Sequence, residues 1–271
     1  MSTLTKARVA AIQMTSGSRV EENLKEAARH IEAAVDRGAQ LVALPEYFPI
    51  FGLDERDKVK VREEEGAGPI QSFLAETARR HRIWLVGGSV PLVAKVSDKV
   101  RNSTLVYDES GKQVARYDKI HLFAFEQGNE SYSEPRTIEP GSDVVALDSP
   151  FGRIGLSICY DLRFPELYRA MKGVDLILAP SAFTATTGKA HWEALIRARA
   201  IENLAYVLAP AQGGLHENKR ETNGDSMLVD PWGVVLERMP SGTGVVIGEI
   251  DHTHLKRVRQ SLPALSHRRL A

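Results

Sequence analysis

Arg153-Ile-Gly-Leu-Ser-Ile-Cys159-Tyr-Asp-Leu-Arg-Phe-Pro165-Glu-Leu167 changes its periodicity in mid-course. The apolar, β-branched residues before Cys159 predict a short buried strand. Pro165-Glu166, followed by Leu167, Tyr168 and Met171, predicts the start of a helix, with proline near its first position and an acid in its first turn. The thiol therefore falls on a tight strand-to-helix turn. Free backbone N–H groups there are expected to stabilise a thiolate. Cys159 is the only cysteine in 271 residues. Two readings of it are open from this stretch alone, a small buried hydrophobe and a nucleophile.

Outward from this turn the same alternation recurs. A strand is predicted over 8–13 and an amphipathic helix over 21–37, with Leu24, Ala27, Ala28, Ile31, Ala34 and Val35 on one face. Gly38 stops that helix. Leu41-Val-Ala-Leu44 then reads as a buried strand, 70–81 as a helix and 83–87 as a strand. Residues 102–107 and 113–117 flank Asp108-Glu-Ser-Gly111 as a hairpin, and 122–141 reads as a long irregular loop. Further on, strands are expected over 175–179, 205–209 and 245–250, a helix over 191–203, and a hairpin around Asp230-Pro-Trp-Gly233. No linker, repeat or low-complexity tract interrupts the chain. The expectation is one α/β domain over 1–271, its mixed sheet content covered outside by helices.

Composition narrows the function. Thirty-five Lys and Arg balance 35 Asp and Glu at a pI near 7.1, so no basic face for nucleic acid or an anionic membrane is implied. The basic stretch 256–269 reads as a solvated tail. A single cysteine excludes an intrachain disulfide framework and a multi-cysteine zinc site. His121, His191 and His216 are scattered without HExxH spacing, so no metal site is expected. No apolar run reaches membrane-spanning length and the N-terminus has no long apolar core, which makes the cytoplasm the expected address.

Three segments share one shape, a strand ending in a reactive side chain. Leu41-Val-Ala-Leu-Pro-Glu46 ends in a carboxylate, Arg116-Tyr-Asp-Lys119 in an ammonium, and the opening stretch in the Cys159 thiol. Strand ends along one edge of an α/β fold are where ligand sites are built. A carboxylate to take the thiol proton, an ammonium for the oxyanion and a thiol to attack a carbonyl carbon form a nucleophilic unit. Each residue also has a plainer reading: Glu46 as a helix-start or surface acid, Lys119 as a surface ion pair with Asp118.

The segments Leu-Pro-Glu46, Asp118-Lys119-Ile-His-Leu and Ile158-Cys159-Tyr-Asp-Leu-Arg-Phe-Pro-Glu166 resemble the three signature blocks of the nitrilase superfamily of carbon–nitrogen hydrolases. The resemblance spans nearly the whole chain, including Pro180-Ser-Ala-Phe183, Gly188-Lys-Ala-His-Trp-Glu193, Arg197-Ala-Arg-Ala-Ile-Glu202-Asn203 and Val229-Asp-Pro-Trp-Gly233. It implies a four-layer α-β-β-α sandwich with two mixed sheets, assembled as a homodimer or larger homo-oligomer. It also implies a Glu-Lys-Cys triad: Glu46 as general base, Cys159 as nucleophile, and Lys119 with the Tyr160 backbone N–H as oxyanion donors. A further glutamate is expected from Glu126, Glu130 and Glu134; Glu134 fits best, because Ser133-Glu-Pro-Arg-Thr-Ile-Glu-Pro-Gly141 resembles the segment that carries it.

The local match is nearest to the small-amidase branches that act on deaminated glutathione and on 2-oxo acid ω-amides. The residues that favour the former are Arg163-Phe-Pro-Glu166, Ala211-Gln-Gly-Gly-Leu-His216 with Lys219-Arg220, and Ser226-Met-Leu-Val-Asp-Pro-Trp-Gly233. The implied reaction is cofactor-free hydrolysis of a small carboxylate-bearing amide through a cysteine thioester. Tyr160, Arg163 and Phe183 are its expected substrate contacts. Arg163 has a structural alternative, an ion pair with Glu166 or Asp161. His191 and Trp192 are expected to pack at a helix start. Asp225 departs from the branch, which has His there. Tyr-Asp after Cys159 argues against nitriles, whose enzymes commonly carry Trp-Glu. An N-carbamoyl-amine or aliphatic-amide hydrolase is the alternative within the superfamily, and an inactive binding module the alternative outside catalysis.

Overall fold

A computed structural model describes residues 3–128 and 130–269. The ends of the expected 1–271 domain, residues 1, 2, 270 and 271, lie outside the described residues. Two mixed sheets form the centre. In the first, Lys6–Gln13, Leu41–Ala43 and Trp84–Val86 run parallel. Gly244–Asp251 pairs antiparallel with Lys6–Gln13 along its whole length, so the two ends of the chain meet in one sheet. On the other side Val100–Tyr107 pairs antiparallel with Trp84–Val86, and both Val90–Val93 and Gln113–Asp118 pair with Val100–Tyr107. The second sheet repeats the plan. Gly152–Leu156, Leu176–Leu178 and Tyr206–Ala209 are parallel, flanked by Ala146–Ser149 on one side and by Ser226–Val229 and Val235–Met239 on the other.

Why four layers form is visible in the side-chain alternation. Val9, Ala11, Leu41, Ala43, Trp84 and Val86 pack into the space between the sheets with Leu156, Leu178 and Leu208. Their neighbours Ala10, Ile12, Val42, Leu44 and Leu85 point the other way, onto Ile31, Leu74 and Ala78 of helices Val20–Asp36 and Pro69–His81. A strand buried on both faces needs an unbroken apolar run, which Leu41-Val-Ala supplies. Each leucine so buried contributes about 2 kcal/mol. Helices Pro165–Ala170 and Ala185–Asn203 cover the second sheet through Leu167, Tyr168, Trp192, Ile196 and Ala200. The four-layer α-β-β-α sandwich expected from the sequence is the observed architecture.

Three local expectations are corrected. Helix Ala185–Asn203 begins six residues before 191, because Thr184 caps it, its Oγ1 accepting from the Thr187 N–H at 3.2 Å. His191 and Trp192 are therefore inside the helix and not at its start. The 122–141 segment is not wholly irregular: Ala124–Gln127 and Glu130–Ser133 form a hairpin, followed by a short 3-10 turn, Glu134–Arg136. Phe123 stacks near Phe125 and Tyr132 and meets the Tyr160 ring edge-on at 5.3 Å, which holds this hairpin over the Cys159 turn. Finally, much of the basic C-terminal stretch is not a tail. Asp251 caps helix His252–Ser261, Leu255 and Val258 are buried, and Arg259 binds Asp175 (2.7 Å) and the Val174 carbonyl (2.6 Å).

Candidate active site

Each reactive side chain leaves its strand through a constrained turn. After Leu41–Ala43 the chain passes through Pro45 to Glu46, and Gly88 lies so close to the Pro45 carbonyl that a Cβ there would collide with it. Tyr47, at φ 57°, donates its N–H to Ser89 Oγ at 2.9 Å. Lys119 follows Gln113–Asp118 directly; its N–H donates to the Asn102 carbonyl (2.9 Å) and its carbonyl accepts from Gly141 (2.8 Å). Gly141 also abuts the Asp118 carbonyl, where no side chain fits. Cys159 opens the 3-10 turn Cys159–Arg163 at φ 49°, a region costly for a non-glycine residue, and donates its N–H to the Pro180 carbonyl at 2.9 Å.

These turns converge. Lys119 Nζ donates to Glu46 Oε1 and to Glu134 Oε1, both at 2.8 Å, and all three side chains are buried or nearly so. Glu46 Oε1 also accepts from Asn102 Nδ2 at 2.9 Å, and the Glu46 carboxyl meets the Cys159 thiol. Tyr47 OH donates to Glu134 Oε1 (2.7 Å) and the Phe123 N–H to Glu134 Oε2 (2.6 Å). Among the three glutamates expected as candidates, only Glu134 enters this cluster: Glu126 is exposed, and Glu130 accepts from Thr186 Oγ1 at 2.7 Å. Lys119 does not pair with Asp118, which instead binds Arg116 and Ser103.

The electrostatics follow from one cation between two carboxylates. Burial pulls the Lys119 ammonium down, but Glu134 and Glu46 together outweigh it and hold its pKa above the ordinary value. Burial also works against the Glu134 carboxylate, yet Lys119, Tyr47 and the Phe123 N–H keep its pKa below normal. Glu46 shares the same cation, but burial together with the nearby Glu134 charge wins and its pKa is raised. Burial, then the Glu46 charge, pushes the Cys159 thiol well above its ordinary range, against Lys119 and the Ala182 N–H. Burial thus opposes the thiolate that the turn alone was expected to favour, beside a carboxyl group whose own pKa is raised.

Asp161 ties two of the turns together, and sequence reasoning missed this role. Fully buried, it accepts at Oδ2 from Tyr117 OH (2.7 Å) and the Ile158 N–H (2.8 Å), and at Oδ1 from the His121 N–H (3.1 Å). His121 Nδ1 lies 2.7 Å from the same Oδ1. The residues flanking Lys119 and those flanking Cys159 are thus fixed on one carboxylate.

The expected substrate contacts line the pocket at Cys159: Tyr160, Arg163 and Phe183, with Glu46, Glu134 and Arg220. Arg163 pairs with neither Glu166 nor Asp161. Its guanidinium lies over the Tyr160 and Phe183 rings (5.7 and 5.3 Å to the centroids), with Nη1 3.2 Å from His191 Nδ1. Space at the sulphur is about 10 Å³, room for about one water. Phe123, Glu134 and Arg220 divide it from an outer cleft of about 540 Å³ lined by Tyr47, Phe51, Lys58, Tyr132 and Asn218. Asp225 lies elsewhere, paired with Arg238 at 2.6 and 2.9 Å, its carbonyl accepting from Trp192 Nε1 at 2.7 Å.

His216 supports the outer cleft from beneath. It stacks on Phe51 at 3.8 Å, and the Ser16 carbonyl 2.8 Å from Nδ1 fixes the proton there, leaving Nε2 to accept from Thr222 Oγ1. Burial lowers its pKa to about 4. An imidazole depressed on folding contributes stability fully above its unfolded pKa of about 6.5, and this is lost as pH falls toward 4. Between pH 7 and 4.5 the loss from this group should be about 2–3 kcal/mol. Denaturant titrations of the wild type and His216→Gln at both pH values check it: the pH-dependent difference should shrink by that amount in the variant.

Among the described residues no group of three or more His, Cys, Asp and Glu is arranged to hold a metal ion, and no helix is long and apolar enough to cross a membrane. Residues 8–260 match the family described as carbon-nitrogen hydrolase. The chain is 44% identical over 266 residues to the deaminated glutathione amidase of Synechocystis sp. (strain PCC 6803 / GT-S), covering 96% of this chain and 97% of that protein. It is 37% identical over 268 residues to the deaminated glutathione amidase of Homo sapiens, covering 96% of this chain and 82% of that one. The crystal structure of Saccharomyces cerevisiae Nit3, a member of branch 10 of the nitrilase superfamily, superposes with a TM-score of 0.89 at 32% identity, covering 99% of this chain and 98% of that one.

Proposed function

The chain belongs to the carbon–nitrogen hydrolase family, and from that premise we propose that it hydrolyses the amide of a small 2-oxo acid, deaminated glutathione or an ω-amide, through a thioester on Cys159. The observation that carries the reading is the buried contact of Lys119 with Glu46 and Glu134 at the pocket of the only thiol. Glu46 takes the thiol proton as sulphur attacks the amide carbon and the C–S bond forms. Two Lys119 protons are committed to the glutamates, and the third is free for the oxyanion. The Tyr160 N–H is the second donor, between a Cys159 N–H held by Pro180 and an Asp161 N–H held by Ile158.

Collapse of the tetrahedral intermediate breaks the C–N bond, and Glu46 returns its proton to the departing nitrogen. Water then attacks the thioester, again giving its proton to Glu46. The carboxylic product leaves and the thiol is restored. A raised Glu46 pKa suits a group that must both take and return a proton near neutrality. Lys119, kept charged by two carboxylates, is an electrostatic donor and not the base.

Turnover of one carbon skeleton presented as an amide, an N-carbamoyl amine and a nitrile tests the reading. The amide should be preferred by about 100-fold in kcat/KM. A carbamoyl compound or a nitrile hydrolysed faster than the amide would refute the substrate assignment.

A further inference from the structure

Asn102 is a buried polar residue that the reaction above leaves unused, although both its main chain and its side chain engage the reacting groups. It lies in strand Val100–Tyr107, where the pairing of Ser103 with Asp118 puts Lys119 opposite it. Cross-strand partners project to one face of a sheet, so the Asn102 and Lys119 side chains leave together toward Glu46. Their neighbours Ser103 and Asp118 turn to the other face and bond to each other there at 2.6 Å. The Asn102 carbonyl accepts the Lys119 N–H at 2.9 Å, and its Nδ2 donates to Glu46 Oε1 at 2.9 Å. Lys119 Nζ donates to the same oxygen at 2.8 Å. The Glu46 main chain is held separately, its carbonyl accepting from Gln212 Nε2 at 3.1 Å.

Two donors on one oxygen decide where the base can take a proton. Oε1 is occupied by an ammonium and an amide, which leaves Oε2 for the thiol that meets this carboxyl. The titratable groups facing Glu46 are Lys119, Glu134 and Cys159; Asn102 is its one side-chain partner among the described residues that never changes charge. That difference matters midway through the cycle. Once Glu46 holds the thiol proton its carboxyl is neutral, and its attraction for Lys119 falls while that of Glu134 for the same ammonium does not. The Asn102 amide still donates to Oε1, now as a neutral pair. It therefore keeps the protonated carboxyl from turning its proton away from the departing nitrogen.

We propose that Asn102 is a positioning residue for the general base, holding Glu46 with Oε1 committed and Oε2 toward the sulphur in both protonation states, so that the oxygen that takes the thiol proton is the one that returns it. This rests on the amidase reading and adds to it what orients the base after it is protonated. Two consequences separate this role from simple packing in the sheet. Loss of the Asn102 donor removes a bond to the ionised carboxylate, so the Glu46 pKa, already raised, moves further up. Asn102 lines neither the pocket at Cys159 nor the outer cleft, so the loss falls on kcat and not on KM.

The test follows deaminated glutathione turnover and, with no substrate present, alkylation of Cys159 by iodoacetamide, each against pH in the wild type, Asn102→Leu and Asn102→Asp. Asn102→Leu should lose about 10- to 100-fold in kcat with KM within about twofold. The lower-pH limbs of its kcat/KM and alkylation profiles should both move up by about one pH unit. Asn102→Asp keeps the side-chain shape, and its carboxyl can donate to Glu46 Oε1 only when protonated, so its deficit against wild type should narrow as pH falls. A loss confined to KM, or unmoved lower limbs in folded Asn102→Leu, overturns the proposal. If Asn102→Leu does not fold, Asn102→Asp decides, and a deficit that stays constant or widens as pH falls overturns it. Absence of wild-type turnover overturns the amidase reading, while the alkylation profiles still decide the role of Asn102.

Discussion

Replacing Lys119 with methionine should cost both stability and turnover, each by a large factor. The substitution keeps the side-chain length but removes the one cation between Glu46 and Glu134, leaving two buried carboxyl groups facing each other. Breaking a buried pair by removing one partner costs about 3–5 kcal/mol. In the variant both carboxyls would have pKa values above those of the unfolded chain, so the folded state would bind more protons. Its stability should therefore fall as pH rises and partly recover as pH falls, and the deficit against wild type should narrow from pH 7.5 to 5.5. Denaturant titration at both pH values measures it. Turnover should drop at least about 100-fold where the variant is folded, since the proposed oxyanion donor is gone. A deficit that does not change with pH would mean that the two carboxylates are not held by this cation.

What could be read from the chain was whatever local periodicity and strand ends encode. Glu46, Lys119 and Cys159 each follow a recognisable strand, and the doubled alternation of Ala10 and Ala11, or Val42 and Ala43, makes a sheet buried on both faces legible. What escaped depends on side chains distant in sequence. The partner of Lys119 looked like its neighbour Asp118, but a strand places successive side chains on opposite faces, and Asp118 turns to Arg116 and Ser103. Arg163 had two acids nearby in sequence and uses neither, because the aromatic rings of Tyr160 and Phe183 come from separate turns. Asp161, Asn102, Tyr47 and Lys58 carry no motif of their own. A buried acid directly after Tyr160 was the one available hint for Asp161. The C-terminal helix could have been found from Asp251 as a cap with Leu255 and Val258 three residues apart; its basic residues concealed it.

The larger effect is expected at Cys159. Alanine keeps the Cβ and so adds no strain at φ 49°, and it deletes one sulphur from a site already 8% exposed, so the fold should persist. The chemistry should not. Without the sulphur the buried Glu46 carboxyl still has a water-sized space beside it, which raises a competing mechanism: direct attack by a water that Glu46 deprotonates. The two mechanisms separate cleanly in this variant. Covalent catalysis loses its nucleophile and should fall by at least about 10⁴-fold in kcat, the scale seen when a nucleophile is removed from a site that acts as a unit. Direct water attack would keep most of its rate, since Glu46, Lys119 and Glu134 are untouched.

The most direct measurement is therefore the kcat of Cys159→Ala on deaminated glutathione, followed by release of 2-oxoglutarate, with thermal unfolding recorded on the same sample. A normally folded protein with at least about 10⁴-fold lower kcat is expected. Turnover within about tenfold of wild type by the folded variant would contradict the thioester mechanism.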